Sequence, residues 1–474
     1  MNNIKYLGIV ILFAFILGGC TERSIRSESQ ERMYPEMIEA QTEVIFKLTL
    51  DGVSYPQDAA EIRTSSISAE ALEQLPQMTG LQQVTVTEGG GENLEQLRTY
   101  CDENGIVFQV ELAGQTVTEE TAEITLAAAT ENQVQLLGLM PNLKSLHFPE
   151  PEAPAEALLE LRTKLPETVV TWEKTVLGMT FPQDAVEIDL TKVIALAEGQ
   201  NFGEKTAYEY GLEFQTMGTQ EKPRKTAKIL PAYPIVSKWE ETARLIEEVE
   251  KAMPYFPDAE KVLMCGAMMD DEAMAQFRED HREDYKVVWS VICGDMAVQT
   301  DATFFMPTKY YVEQGAFSDL YAYNLRYCED MVSIDLGHMK VTDLEFVKYM
   351  PNLKYLVLTL SPVKDLSHLA DCKNLVFLEM AWCDRVVDYS PLVKCTALED
   401  LNIGETFGDI TPVLEMTWLK NLWLVGGPEE SYHKATAAMP DTNIAYYYGN
   451  PDDGWRDLPN YYAMRDELLM FYMQ

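Results

Sequence analysis

The sequence has none of the short motifs that identify the common classes of enzyme. It lacks the G-x-S-x-G turn of hydrolases, the H-E-x-x-H pair of zinc proteases, the G-x-x-x-x-G-K phosphate loop and the dinucleotide-binding G-x-G-x-x-G turn. Its five histidines are scattered along the chain. We therefore predict a non-catalytic protein without catalytic residues, metal site or cofactor. A hydrolase with an active site assembled from distant residues is the least favoured alternative.

Basic residues are scarce as well. Lys and Arg total 37 against 76 Asp and Glu, which gives a formal net charge of −39. Proteins that bind nucleic acid gain much of their affinity by neutralising phosphates with Lys and Arg. The only local basic run, near residues 222–228, is short and polar. The charge therefore predicts no nucleic-acid partner.

The cysteines do not form a pattern of pairs. Seven remain besides Cys20, and no C-x-x-C pair is present. An odd number without paired spacing argues against a disulfide framework and against zinc. Cys328, Cys372 and Cys395 occupy the same position of a repeat as Met350 and Met416, so buried apolar thiols are the favoured interpretation.

A repeat with a period of 21 to 23 residues governs the C-terminal half. Its opening apolar residues are Met331, Leu353, Leu375, Leu398 and Leu419, at steps of 353−331=22, 375−353=22, 398−375=23 and 419−398=21. Further apolar residues follow three and five positions after each opener. This is the L-x-x-L-x-L pattern of leucine-rich repeats. One coil cannot bury its apolar face alone, so successive coils must stack on a common core.

The pattern predicts an α/β fold, a leucine-rich repeat solenoid. Each coil contributes one strand to a curved parallel sheet on the concave face. An aspartate precedes each return segment, at 343, 365, 388 and 409. Because Asp is a good helix N-cap, we expect short helices or 3₁₀ turns on the convex face.

The repeat extends into the N-terminal half in degenerate form. Residues 122–148 align with 332–358 at an offset of 210, and residues 60–86 align with 122–148 at an offset of 62, both without gaps. A Pro-(Gln)-Asp-Ala element precedes short strand-like segments that begin at Glu61, Glu187 and Lys261. A hairpin is predicted over residues 107–112 with its turn at Gly114. Helices are predicted at about 92–103, 155–164 and 237–252.

These features predict the following division of the chain. Residues 1–19 form an N-terminal leader, 20–43 a tether that begins at Cys20, 44–198 degenerate repeats with hairpins, 199–254 an irregular insertion and helix, 255–330 a divergent repeat region, 331–445 the regular solenoid and 446–474 a C-terminal cap on the last coil.

The start of the chain indicates its location. An apolar run over residues 6–17 follows Lys5, and Leu-Gly-Gly precedes Cys20. The run is shorter than the roughly 18 residues of a membrane span and is typical of a secretory signal. The residues before Cys20 resemble the lipobox of bacterial lipoproteins. The resemblance implies that Cys20 carries a diacylglyceryl group, which would anchor the protein on the extracytoplasmic face of the bacterial cell membrane.

Residues from about 255 onward resemble a group of leucine-rich repeat surface lipoproteins of Gram-positive gut anaerobes of the clostridial type. The segments that carry the resemblance are 256–266, 300–303, 332–336 and, most specifically, Gly454-Trp455-Arg456-x-x-Pro459-x-Tyr461-x-x-Met464-Arg465-Asp466. The group has no assigned function. The resemblance implies a surface-anchored interaction protein.

The strand face is the favoured place for a ligand. Side chains between the repeat leucines point onto the concave side of the sheet. The predicted partner-binding residues are Tyr355, Phe377, Trp382, Trp423, Glu379, Asp335 and His338. Exposed aromatics beside carboxylates are typical of binding surfaces, although aromatics on a parallel sheet also pack against lateral neighbours. We expect a protein or peptide partner, with a carbohydrate or cell-wall ligand as the alternative.

Overall fold

The structure is a computed structural model that describes residues 47–89, 91–194, 218–219, 222–223, 229–231, 236–294, 296–307 and 317–468. The predicted signal peptide, Cys20 and the tether lie outside these residues, as does most of the region 199–236. Within the described ranges, no helix has both the length and the apolar character that a membrane span needs. The chain is mixed α/β with largely parallel sheets.

Two consecutive βαβαββ units form the N-terminal part, preceded by a hairpin of β1 (Lys47–Leu50) and β2 (Val53–Pro56). The first unit contains β3 (Glu61–Thr64), α1 (Ala69–Gln74), β4 (Gln83–Val86), α2 (Leu94–Asn104), β5 (Val107–Leu112) and β6 (Gln115–Val117). The second contains β7 (Glu123–Thr125), α3 (Glu131–Leu137), β8 (Ser145–Phe148), α4 (Ala155–Lys164), β9 (Val169–Val176) and β10 (Met179–Pro182). The predicted offset of 62 is confirmed, since 123−61=62 and 145−83=62.

A hairpin ends the sheet of each unit. Residues Ala113 and Gly114 turn β5 into β6, and Leu177 and Gly178 turn β9 into β10. The φ angles are 49° and 76° in the first turn and 50° and 86° in the second, as a type I′ turn requires. The hairpin predicted at Gly114 is thus confirmed. Because the returning strand occupies the sheet edge, these repeats form separate four-stranded sheets and do not extend the C-terminal one.

A third unit of similar order carries the insertion. It contains β11 (Glu187–Asp189), α5 (Thr191–Ile194), β12 (Gly218–Thr219), β13 (Lys222–Pro223), β14 (Ile229–Pro231), β15 (Val236–Ser237), α6 (Thr242–Ala252), β16 (Lys261–Met264), β17 (Ala267–Met268), α7 (Asp271–Asp280), β18 (Lys286–Cys293) and β19 (Met296–Gln299). Strands β11, β16 and β18 are parallel, and β19 returns antiparallel. Strand β14 of the insertion adds to the far side of β19.

The C-terminal half contains one seven-stranded parallel sheet. Its elements are β20 (Phe304–Phe305), α8 (Asp319–Ala322), β21 (Ser333–Asp335), β22 (Tyr355–Val357), β23 (Phe377–Glu379), β24 (Asp400–Asn402), β25 (Asn421–Trp423), α9 (Glu429–Ala438), β26 (Asn443–Ala445) and α10 (Pro459–Glu467). Each repeat supplies one strand, and equivalent repeat positions lie opposite one another. The register read from the L-x-x-L-x-L pattern is therefore confirmed.

Short 3₁₀ helices return the chain between these strands, at Glu345–Tyr349, Ser367–Asp371, Ser390–Lys394 and Val413–Glu415. Others lie at Leu75–Gln77, Trp239–Glu241, Met253–Tyr255, Tyr323–Tyr327 and Trp455–Asp457. The four aspartates predicted as N-caps precede that position, which Leu344, Leu366, Tyr389 and Pro412 occupy. Each aspartate instead accepts a hydrogen bond from the backbone N–H two residues on, at 2.8 to 3.0 Å. The carboxylate satisfies an orphan N–H at the start of each return segment.

Stacked side chains fill the interior of the repeats. The opener Leu353 and its partners Leu356 and Leu358 are fully buried. The apolar core divides into two clusters, one from Leu50 to Trp172 and one from Val176 to Leu468, and Tyr255 packs against both. The seven cysteines of the described ranges are all buried, as predicted for apolar thiols.

Candidate functional site

The strand face is the side of the seven-stranded sheet that carries residues 333, 335, 355, 357, 377, 379, 400, 402, 421 and 423. Strand side chains alternate between faces, so these lie opposite the buried leucines. Tyr355 is paired with Phe377 on the next strand, and Val357 with Glu379. The members of each pair are therefore lateral neighbours on the strand face.

The chain itself covers much of this face. Residues 450–468, here called the C-terminal strap, place the Trp455 indole between two strand-face rings. Its centroid lies 4.7 Å from that of Phe377 and 5.5 Å from that of Trp423. Tyr461 of the strap lies 6.2 Å from Phe377. Trp455 and Phe377 have no exposed surface, and Trp423 is 5% exposed.

Polar contacts fix the strap in register with the strands. The Trp455 Nε1–H donates to Glu379 Oε2 at 2.7 Å, and the Trp423 Nε1–H donates to the Asp453 carbonyl at 3.1 Å. One step along the sheet, the Asn402 side-chain amide donates to the Pro451 carbonyl at 3.2 Å. Asn460 donates to Asp400 at 3.0 Å and to Glu399 at 3.2 Å. Strap and sheet thus match in both apolar and polar groups.

Two sequence-based expectations are corrected by this arrangement. Phe377 and Trp423 were expected as exposed anchors, but the strap buries both. The C-terminal segment was expected to close the end of the last coil, but its residues 451–464 pack on the strand face instead. The physical reason is the same for both. Two aromatic rings on an open sheet would expose a large apolar surface, and the strap removes that surface from water.

An open cleft remains where the strap leaves the face uncovered. Its volume is about 520 Å³. Asp335, Gly337, His338, Val357, Thr359, Leu360, Glu379, Trp382, Asn450, Asp452, Arg456, Tyr461, Met464 and Arg465 line it. Four of the seven predicted residues are therefore brought together here: Asp335, His338, Glu379 and Trp382. Tyr355 is half-buried on the strand face and does not line the cleft.

The rim of the cleft is built from residues in an unusual backbone conformation. His338, Leu360 and Trp382 occupy the same position in successive coils, with φ of 66°, 61° and 58°, and Glu405 follows with 54°. Left-handed backbone costs an L-residue about 1–2 kcal/mol. At the equivalent position of the second N-terminal unit (128+210=338), the left-handed residue is the small Ala128.

The next coil holds this conformation in place. The backbone N–H of His338 donates to the Thr359 carbonyl at 2.7 Å, and that of Trp382 donates to the Gly404 carbonyl at 2.9 Å. The left-handed turn directs the side chains outward, where His338 and Leu360 are exposed. Strained positions that carry large side chains at a cleft are a reason to infer function there.

Glu379 forms part of the cleft floor and is 5% exposed. The Thr359 hydroxyl donates to its Oε1 at 2.7 Å, and Trp455 donates to its Oε2. The pKa of Glu379 is raised to about 7, chiefly by burial and also by the carboxylates of Asp452 and Asp335, while the hydrogen bonds from Thr359 and Trp455 lower it. Burial also raises the pKa of Asp335, which accepts a hydrogen bond from the Gly337 N–H at 2.8 Å.

The strap contributes the groups that sequence reasoning did not assign to a site. Arg456 forms an ion pair with Asp452, and the Arg465 guanidinium lies over the Tyr461 ring, 5.8 Å from its centroid. All four belong to a segment outside the repeat, so no periodicity relates them to the strand face. The signal that was available is the long Gly-Trp-Arg motif, which is the most specific part of the resemblance. No grouping of three His, Cys, Asp or Glu side chains suited to a metal ion is present in the described part of the chain.

Comparisons with known proteins add little at the level of sequence. No family model matches the chain, and no curated protein matches it. Among solved structures, an internalin from Listeria monocytogenes is similar over 84% of this chain and 91% of its own, with 11% identity and a TM-score of 0.28. A leucine-rich repeat protein of Leptospira interrogans covers 80% of this chain and 93% of its own, with 11% identity and a TM-score of 0.26.

A third solved structure is the functional domain of the internalin InlJ from Listeria monocytogenes. It covers 83% of this chain and 70% of its own, with 9% identity and a TM-score of 0.24. Because all three scores are low, we base the fold on the repeat pattern and on the strand register of the C-terminal sheet.

Proposed function

We propose that this protein is a surface lipoprotein that binds a protein or peptide ligand in the cleft between the strand face and the C-terminal strap. The single observation that carries the proposal is the position of Trp382. Its indole is half-buried and lines a cleft of about 520 Å³, and its backbone has a left-handed conformation. Clefts of several hundred Å³ with aromatic walls and a few fixed polar groups are the usual form of a binding site.

The lining supports recognition of side chains. Trp382, Leu360 and Tyr461 supply apolar and aromatic surface, while carboxylates and guanidinium groups supply directional contacts. Aromatic anchors surrounded by polar groups are typical of the positions that dominate binding energy in protein interfaces. The cleft is therefore suited to one or two side chains of a larger partner.

A binding role is favoured over a catalytic one by the way the carboxylates are held. Both oxygens of Glu379 accept hydrogen bonds from fixed donors of the protein, Thr359 and Trp455. A general base needs an oxygen directed at the proton that it removes. Glu379 is thus better placed as a wall of a binding site than as a base.

Attachment to the membrane surface rests on the residues before Cys20. The Leu-Gly-Gly-Cys sequence after a short apolar run supports removal of residues 1–19 and lipidation of the new N-terminus. A lipidated protein would present the cleft to the extracellular space, where a protein or peptide ligand is accessible.

The test is selection of a phage-displayed peptide library on the purified, detergent-solubilised full chain. Trp382→Ala should weaken selected peptides by about thirtyfold, or about 2 kcal/mol, as loss of an interface anchor does. Phe407→Ala is the matched control, because this surface aromatic is 64% exposed and does not line the cleft. Both variants should keep the wild-type melting temperature.

Equal affinity of Trp382→Ala and wild type for the selected peptides would contradict the proposal. A glycan array run on the same proteins separates the carbohydrate alternative. Glycan binding lost in Trp382→Ala, with no peptide selected, would favour that alternative.

A further inference from the structure

The cleft contains more carboxylates than the protein pairs with cations. Three carboxylates line it: Asp335, Glu379 and Asp452. Glu379 accepts hydrogen bonds from the neutral donors Thr359 and Trp455, and Asp335 accepts one from the neutral Gly337 N–H. No ion pair within 4 Å joins Asp335 or Glu379 to a cation among the described residues.

The cationic side chains of the cleft do not form ion pairs with Glu379 or Asp335. Arg456 pairs with Asp452, one turn before it on the strap. Arg465 lies over the Tyr461 ring, and His338 is exposed on the rim. Even in the Arg456 pair, the Oδ1 atom of Asp452 is buried and accepts no hydrogen bond. Glu379 and Asp335 therefore have no ion-pair partner in the cleft, although His338 and Arg456 are near enough to lower the pKa of Asp335 against the effect of burial.

The three carboxylates influence one another. Asp452 and Asp335 both raise the pKa of Glu379, which means that the ionised groups repel. Burying an ionised carboxylate without a counter-charge is costly, and neutral hydrogen bonds offset only part of that cost. A cation entering the cleft would relieve the repulsion and would meet a site that is already built.

The walls select the kind of cation. The Trp382 indole and the Tyr461 ring border the same cleft, together with the aliphatic side chain of Leu360. Aromatic faces attract ammonium and guanidinium groups, and apolar walls suit a methylene stem. A bare metal ion would use neither feature.

We propose that the cleft binds the side chain of a lysine or arginine residue of a peptide ligand, with its charged end beside Glu379 and Asp335 and its stem against Trp382 and Leu360. The inference rests on the proposed peptide-binding function and names the chemistry of the ligand. The overall charge of −39 is consistent with it, since an acidic protein attracts basic partners at long range.

The test uses small probes on the full chain in detergent, followed by isothermal titration calorimetry. The probes are Nα-acetyl-arginine amide and Nα-acetyl-lysine amide, with the neutral Nα-acetyl-citrulline amide and Nα-acetyl-norleucine amide as matched shapes. The two cationic amides should bind about tenfold or more tightly than their neutral counterparts, as expected when a charged pair loses one partner. Equal binding of arginine and citrulline amides to the wild type would overturn the inference.

Variants locate the site. Glu379→Gln and Asp335→Asn should each weaken the cationic amides and leave the neutral ones unchanged. Asp400→Asn is the control, because Asp400 is buried on the same strand face but does not line the cleft. Asp335→Asn keeps the test valid if Glu379→Gln does not fold. Cation binding that survives both substitutions would also overturn the inference.

Failure of this inference is distinguishable from failure of the proposed function. If phage-selected peptides require Trp382 but contain no enriched Lys or Arg, the peptide function stands and the cationic ligand is wrong. If arginine amide binds as expected but no peptide or protein competes with it, the cation site stands and the peptide function is wrong.

Discussion

Trp455 packs against Phe377 in a tilted arrangement, with ring centroids 4.7 Å apart and an angle of 33° between the ring planes. The two residues are 78 positions apart in the chain (455−377=78). Their contact converts a sheet face that would be open in a simple repeat into part of the core. The cleft beside Glu379 lies where the strap does not cover this face.

Trp455→Ala should destabilise the C-terminal half by about 3–5 kcal/mol, the usual cost of removing a buried large aromatic side chain. The substitution opens a cavity above Phe377 and removes the N–H donor to Glu379. Chemical denaturation monitored by circular dichroism measures the change. Trp455→Phe helps to separate the two effects, because it removes the donor but keeps an aromatic ring and so leaves a smaller cavity than Trp455→Ala. Tyr448→Ala, at a residue that is 83% exposed, should have little effect. A change below about 1 kcal/mol for Trp455→Ala would contradict the packing role of the strap.

Leu378→Asp should unfold the seven-stranded sheet. Leu378 is fully buried in the shared core of the coils. Truncating a buried leucine costs about 2–5 kcal/mol, and an unpaired charge adds to that cost. Loss of the cooperative thermal transition is the expected result. Val387→Asp provides the comparison, since Val387 is 68% exposed and should tolerate a charge.

Glu379 should make the stability of the protein depend on pH. Its pKa rises from 4.5 when unfolded to about 7 when folded, chiefly because of burial. The folded state therefore holds the proton more tightly. The contribution to stability is complete below about pH 4.5 and decreases as the pH rises to about 7, by about 3 kcal/mol in total.

Urea denaturation at several pH values tests this dependence against Glu379→Gln. The neutral glutamine retains an acceptor for Trp455 and has no proton to lose. The free energy of unfolding of the variant should therefore increase relative to that of the wild type as the pH rises from 4.5 to 7. Parallel curves for the two proteins between pH 4.5 and 7 would show that Glu379 does not titrate as stated.

Lipidation predicts a specific mass. The wild-type protein isolated from bacterial membranes should begin at Cys20 and carry a diacylglyceryl group, whereas Cys20→Ala should retain residues 1–19 or lack the lipid. Mass spectrometry of the intact protein distinguishes these forms. A wild-type chain with an unmodified Cys20 would show that the lipobox resemblance is misleading.

The sequence allowed the register of β21–β25 to be predicted because periodicity relates the residues. An apolar residue every 22 positions, with two more at fixed distances, leaves only one way to align neighbouring strands. The hydrogen bonds of the four aspartates and the Gly114 hairpin depend on residues that are close in the chain. These features depend on residues that are near in the chain or equivalent in the repeat.

The strap and the cleft could not be predicted in this way. The contact of Trp455 with Phe377 and the hydrogen bond from Asn460 to Asp400 join segments with no periodic relation. Counting positions placed Phe377 and Trp423 correctly on the strand face, but exposure depends on what covers that face. Asp335, His338, Glu379 and Trp382 were identified because they lie at or just beyond the strand ends, where the strap leaves space.

The left-handed backbone of the rim residues should lower the free energy of unfolding of the protein. His338 has a φ of 66° and an exposed side chain, so His338→Gly should relieve strain without loss of packing. The free energy of unfolding should increase by about 1 kcal/mol. Ala128→Gly is the control at the equivalent position outside the cleft, where φ is 51°, and should stabilise the protein to a similar extent.

If the rim conformation serves the ligand, His338→Gly should lower the affinity for the peptides selected on the wild type, while Ala128→Gly should bind them with unchanged affinity. Destabilisation by both glycine substitutions would show that the left-handed conformation is not strained. Stabilisation of both without any loss of peptide affinity would separate the strain from the function of the cleft.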